Sequence, residues 1–153
     1  MKIRLLYVGR THRGPMAEIT EEYLARLRRT IAIEEVVVAE AGKGDPAFQQ
    51  RTECERILAA LRPGERVVAL DERGKQWTSP KLAEQLGRWR DQGTRQIVFV
   101  VGGAYGLNEE VRAKADVVLA LSAMTFPHQL VRPILAEQIY RAFTILGGTP
   151  YHH

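Results

Sequence analysis

Short runs of aliphatic and β-branched residues alternate along this chain with longer stretches in which apolar positions recur every three to four residues. The first pattern belongs to strands buried on both faces, the second to helices with one apolar side. Strands are predicted at Lys2–Val8, Ile33–Val38, Arg66–Leu70, Gln96–Val101 and Val117–Ala120, and helices at Met16–Thr30, Phe48–Leu61, Pro80–Asp91, Glu109–Ala115 and from about His128 to Leu146. Strand and helix taking turns in this way predict an α/β fold, a mostly parallel sheet of five to six strands flanked by helices.

Several element ends have a physical cause. Ser79 is placed to cap the third helix, with Pro80 at the first helical position, where its missing N–H costs nothing. Asn108 is placed to cap the fourth, with Glu109 and Glu110 facing the positive end of the helix dipole. In the last helix Leu135, Ile139, Ala142, Phe143 and Leu146 form one apolar stripe, and Glu137 and Arg141 make an i,i+4 pair in the favourable order. Pro133 interrupts that helix, so either a kink or a helix start is expected near it.

Composition narrows the function classes. The 153 residues carry 22 Lys and Arg against 18 Asp and Glu, a net charge of +4. A basic balance dominated by arginine suits a polyanionic partner, although a solvated surface has the same composition. No apolar run approaches the roughly 20 residues that cross a bilayer. The apolar start after Met1 is too short for a signal peptide, so a soluble cytoplasmic protein is expected, with no membrane partner. Cys54, the single cysteine, lies in a helical segment and reads as core filler, and no thiolate or His-Glu motif offers a metal site.

Motifs for familiar chemistries are missing. The first strand runs into Gly9-Arg10-Thr11-His12-Arg13-Gly14, which lacks the glycine spacing of a dinucleotide turn, and there is no P-loop and no nucleophile elbow. What stands out is three unusual segments after the third, fourth and fifth strands. They are Leu70-Asp71-Glu72-Arg73-Gly74-Lys75, Gly102-Gly103-Ala104-Tyr105-Gly106 and Leu121 through His128. Open α/β sheets bind ligands at the carboxyl ends of their strands. Paired glycines there admit either a ligand or another chain segment close to the backbone, and a tight turn would use them equally.

Taken together, Leu70-Asp71 with Gly74-Lys75, the Gly102–Gly106 turn, Leu121-Ser122-Ala123-Met124-Thr125-Phe126-Pro127-His128 with Arg132, Glu137-Gln138-Ile139-Tyr140-Arg141-Ala142 and the terminal Pro150-Tyr151-His152 resemble the bacterial RlmH (YbeA) family over the whole chain. That family comprises SPOUT methyltransferases acting on N3 of a pseudouridine in large-subunit ribosomal RNA. The resemblance implies a single SPOUT domain over residues 1–153, a C-terminal trefoil knot, a homodimer, S-adenosylmethionine as cofactor, and ribosomal RNA, the large subunit or the ribosome as partner. It places Leu70, Gly102, Gly103, Leu121, Ser122, Ala123, Met124, Thr125 and Phe126 at the cofactor, with an RNA site shared between subunits. Two positions depart from the family pattern: Pro133 replaces an apolar residue compatible with helix, and His153 replaces a basic residue.

For methyl transfer to an imide nitrogen, His152 is the preferred base, because a histidine titrates near ~6.5. His128 and Glu137 are alternatives. Tyr151 and Arg132 join His152 as catalytic candidates, and Arg132, Arg141, Tyr140 and His128 are expected to contact RNA. Arg10 and Arg13 are weaker choices, since exposed arginines are usually only solvated. Two other readings remain open: a non-catalytic RNA- or ribosome-binding protein of this fold, and a SPOUT enzyme with another RNA target.

Overall fold

A computed structural model describes residues 1–153. Its centre is a five-stranded parallel sheet in the order β2-β1-β4-β3-β5. The strands are β1 (Lys2–Val8), β2 (Ala32–Val38), β3 (Arg66–Gln76), β4 (Gln96–Val101) and β5 (Val117–Ala120). The helices are α1 (Pro15–Leu27), α2 (Pro46–Ala60), α3 (Ser79–Asp91), α4 (Glu109–Lys114) and α5 (His128–Gly147). None is long and apolar enough to cross a membrane.

The alternation of side chains sorts the helices into two layers. Ile3, Leu5 and Tyr7 of β1, with Ile97 and Phe99 of β4, face the layer made by α1, α3 and α5 through Leu24, Leu86, Leu135 and Ile139. Leu6 and Val8, with Val98 and Val100, face Cys54 and Ile57 of α2 and Val111 of α4. Central strands covered on both sides are buried almost without interruption, which is why β1 and β4 read as continuous apolar runs. The edge strand β2 instead alternates exposed with half-buried positions, and only Ile33 is buried.

Several boundaries differ from expectation, α1 among them, which stops at Leu27 rather than Thr30. β3 continues through Gln76 although its sequence turns polar at Asp71. Both Leu70 and Lys75 pair with Leu119, so Asp71–Gly74 bulges out before the strand resumes along β5. Thr78, not Ser79, caps α3, its hydroxyl accepting from Lys81 N at 3.2 Å. α2 begins two residues before Phe48, with Asp45 accepting from Phe48 N at 2.8 Å and Pro46 in the first turn. The Asn108 cap is present, accepting from Val111 N at 3.1 Å. α5 starts at His128 and runs through Pro133 rather than beginning there.

The bulged strand explains Gly74. A Cβ at this position would lie 2.4 Å from the carbonyl oxygen of Val118, a backbone atom that cannot turn aside. Gly74→Ala is therefore expected to push β5 off β3 and lower stability by about 1–3 kcal/mol. Urea unfolding at neutral pH measures this, and an unchanged midpoint would mean that β5 shifts freely.

Candidate active site

The carboxyl ends of β3, β4 and β5 open into a cavity of ≈ 720 Å³. Of the nine residues expected around a cofactor, Leu70, Gly102, Gly103, Leu121, Ser122, Met124, Thr125 and Phe126 line it. Ala123 does not, and it is exposed. The reason is a local turn: Ser122 Oγ accepts from Met124 N at 3.0 Å, so the loop pivots at Ala123. Asp71, Leu119, Leu107, Pro127, His128 and Val131 complete the wall. Asp71 was visible as a strand-end carboxylate, but nothing in the sequence marked Leu107 or Val131 as lining residues.

The glycine pair has a structural cause. A Cβ on Gly102 would come within 2.9 Å of the Gly106 backbone, and one on Gly103 within 2.6 Å of Glu53 Oε1. The close approach is thus to other parts of the chain. The turn closes through Gly106 N donating to Gly103 O at 3.0 Å. From beneath, α2 supports it: Gln50 donates to Tyr105 O at 2.8 Å, and Cys54 Sγ accepts from Asn108 N at 3.4 Å. Burial pushes the Cys54 thiol up, which suits a packing role over a reactive one. Across the opening the Thr125 hydroxyl donates to the Glu72 carboxylate, and Asp71 lies 3.5 Å from Arg112, which also donates to Leu107 O at 2.5 Å.

His128, at the start of α5, forms part of this wall. Burial holds its pKa below the ordinary histidine value, helped by Arg132 and His12 and opposed by Glu40. It is therefore neutral at physiological pH and able to accept a hydrogen bond.

Arg132, expected at RNA, is fully buried, and this corrects the sequence reading. It donates to Val8 O at 2.8 Å, to Gly9 O at 2.9 Å and to Thr11 Oγ1 at 2.9 Å, and its guanidinium stacks 4.4 Å above the Tyr7 ring. A cation so committed reaches neither phosphate nor base. Its partner ring is equally closed in: burial, reinforced by Glu35 and opposed by Arg132, pushes the Tyr7 phenol well above its usual range.

The remaining candidates gather at the other end of α5. Gly148 takes a left-handed conformation (φ 68°) and Thr149 N donates to Thr144 O at 2.9 Å, a glycine stop that turns the tail back along the helix. Tyr151 consequently packs edge-on against Tyr140 at 4.8 Å, and its hydroxyl donates to Glu137 Oε1 at 3.0 Å. Burial and hydrogen bonds with Tyr23 and Glu137 push the Tyr151 phenol well above its ordinary range, so it stays a donor. Arg141 donates to Glu137 through Nε at 3.0 Å and meets His152 Nδ1 with Nη1 at 3.2 Å. Glu137 also accepts from Gln138 at 2.8 Å, so both its oxygens are engaged and it is not a free base. Tyr140 lies between Tyr23 and Tyr151 as packing, with Arg26 above it.

The two groups do not meet within one chain. Thirteen residues of helix separate His128 from Arg141, about 20 Å at 1.5 Å per residue. No cluster of three or more His, Cys, Asp or Glu side chains is placed to hold a metal ion.

Comparison with known proteins gives this arrangement a context. The family model described as "Predicted SPOUT methyltransferase" matches residues 1–152. The chain is 49% identical to the Ribosomal RNA large subunit methyltransferase H of Geobacter metallireducens, over 100% of this chain and 99% of that protein. It is also 49% identical to the protein of the same name from Rhodospirillum centenum, over 99% of each. Among solved structures, a probable methylase family protein from Haemophilus influenzae Rd KW20 superposes with a TM-score of 0.54 at 12% identity, over 95% of this chain and 66% of that one, a likeness of fold alone.

A pH dependence follows from His128. Its folded pKa lies below the unfolded one, so the folded state binds fewer protons and stability rises with pH. The stability is complete above about 6.5 and is lost as pH falls from there through the folded value. Urea midpoints at pH 7.5 and 5.5 should differ less for His128→Gln than for the parent. Equal differences would show that His128 titrates as it does in the unfolded chain.

Proposed function

Because this chain belongs to the SPOUT methyltransferase family, we propose that it methylates N3 of a pseudouridine in large-subunit ribosomal RNA, using S-adenosylmethionine and working in the cytoplasm as a homodimer. The proposal takes residues 1–153 as one domain with a trefoil knot in its C-terminal part. The observation that carries it is the division of the functional groups between the two ends of α5. A cofactor slot lies at one end and a Tyr-His-Arg cluster at the other, so two copies related by a two-fold axis, with their last helices running in opposite directions, bring each slot to the partner's cluster.

The slot fits the cofactor. Apolar side chains of Leu70, Leu119 and Phe126 would take the flat adenine, and backbone groups of Gly102, Gly103 and the Leu121–Thr125 loop would take its polar edge. Asp71, at the same wall, is a carboxylate suited to hydroxyl groups. When bound, S-adenosylmethionine supplies an electrophilic methyl group carried on a sulfonium.

The residues of the chain provide position and proton handling. Positioning is the larger effect, since holding two reactants in line can lower a barrier by on the order of 7–11 kcal/mol. His152 Nδ1 accepts from Arg141, which leaves the neutral ring's hydrogen on Nε2. That contact lies at the exposed surface, where water screens and competes with it. An RNA oxygen competing for Arg141 would free Nδ1 to take the imide proton, while N3 would gain the methyl group from the bound sulfonium, whose methyl C–S bond breaks to leave a neutral thioether. Tyr151, kept protonated, holds Glu137, and Glu137 in turn aims Arg141.

His152→Ala should lower kcat on large subunits by about 10²–10⁴, the usual worth of a positioned acid or base. Cofactor affinity by calorimetry should stay unchanged. Unaltered turnover would remove His152 from the mechanism. Mass spectrometry of ribosomal RNA from a strain lacking the protein should show an unmethylated pseudouridine, and a fully methylated one would refute the assigned target.

A further inference from the structure

We propose that the Arg10–Arg13 loop is a preformed grip for the phosphate backbone of the RNA beside the methylation site; the inference rests on the reading above. The sequence alone favours ordinary solvated arginines here. The structure adds three observations.

The first is order. The loop is bounded by Gly9 (φ 72°) and Gly14 (φ 124°), and between them its backbone is tied to α5. Arg132 donates to Gly9 O and Thr11 Oγ1, Gln129 Oε1 accepts from His12 N at 2.9 Å, and Gln129 Nε2 donates to Arg10 O at 3.3 Å. A loop fixed in this way presents its side chains with little further ordering to lose on binding.

The second is charge left free. Surface ion pairs engage Arg26, Arg28, Arg66, Arg88 and Arg90, whereas Arg10 and Arg13 have no carboxylate partner and are exposed with His12 between them. The nearby carboxylates are Glu40, lying against Gly9 at the loop base, and Glu21 and Glu35, which share a cavity with Arg10, and none of them is paired with either arginine. The third is place. Gln129, which holds the loop, directly follows Pro127 and His128 of the slot wall. Arg73 stands on the same wall, also without an ion-pair partner.

Two unpaired guanidinium groups on a tied-down loop beside the cofactor slot suit an RNA segment whose target base must be presented to that slot, because its neighbouring phosphates have to be held while the base is positioned. Guanidinium forks suit phosphate oxygens, and each contact releases condensed counterions. The loop therefore acts on substrate binding and not on the chemical step.

The test uses the full chain and large subunits from a strain lacking the protein, with KM and kcat measured across a salt series. Arg10→Ala/Arg13→Ala should raise KM about tenfold, leave kcat and cofactor affinity near the parent values, and lower the slope of log affinity against log salt by about 2, one for each lost phosphate contact. Arg10→Lys/Arg13→Lys should keep most of the slope, which separates charge from folding. Arg88→Ala/Arg90→Ala, which removes arginines already paired on α3, should leave it unchanged. An unaltered KM and salt slope in the alanine variant overturns the inference. So does dissociation of that variant into monomers in sedimentation, which would assign the loop to the subunit contact. If the parent protein itself fails to methylate the subunits, the underlying functional reading fails instead.

Discussion

Arg132 is the point on which the arrangement turns. A guanidinium without a carboxylate partner is buried between the last helix and the end of the first strand, more than 120 residues apart in sequence. Taking such a cation out of water costs several kcal/mol. Three hydrogen bonds from a charged donor, at roughly 1.5–3 kcal/mol each, and stacking on Tyr7 offset most of that cost, with Nε left unpaired. The net effect on stability is thus small, and the effect on geometry is large. The carbonyls of Val8 and Gly9 can be satisfied only if α5 lies in one position along β1.

That helix contributes to both halves of the site. Its N-cap Pro127 and its first turn, with His128 and Val131, line the slot, and Gln129 holds the first loop. Its last turns carry Glu137, Tyr140 and Arg141, and the Gly148 stop folds Tyr151 and His152 back against them. A stiff rod with complementary chemistry at its two ends cannot bring them together by itself. A second copy running the opposite way can, which is the physical case for a dimer. The buried polar links elsewhere serve the same purpose on a smaller scale, as where Gln50, Glu53 and Cys54 of α2 hold the glycine turn from below.

How far the sequence revealed this depends on the range of the interaction involved. β1 and β4 were legible because strands buried on both faces leave unbroken apolar runs, and the Asn108 cap was legible because its partner is three residues away. The slot was legible as three odd loops at one sheet edge. β3 beyond Leu70 was not, since its polar residues are held by pairing with β5, a partner more than 40 residues distant. Arg132 looked like any basic residue on an amphipathic helix. Only the carbonyls at the far end of the chain show that it faces inward. Thr78 in place of Ser79 is the ordinary one-residue uncertainty between two adjacent capping hydroxyls. Ala123 fell out of the slot through a side-chain turn made by its own neighbour.

The central claim is that each methylation site is built from the slot of one copy and the His152 tail of the other. A mixed dimer tests it most directly. One protomer would carry His152→Ala and the other Gly102→Val, which forces a side chain into the Gly106 backbone and closes the slot. Both parent homodimers should be inactive on large subunits. The account predicts that the mixed dimer regains turnover, because one intact slot faces one intact tail. A mixed dimer as inactive as its parents, with its His152→Ala protomer still binding S-adenosylmethionine, would contradict it.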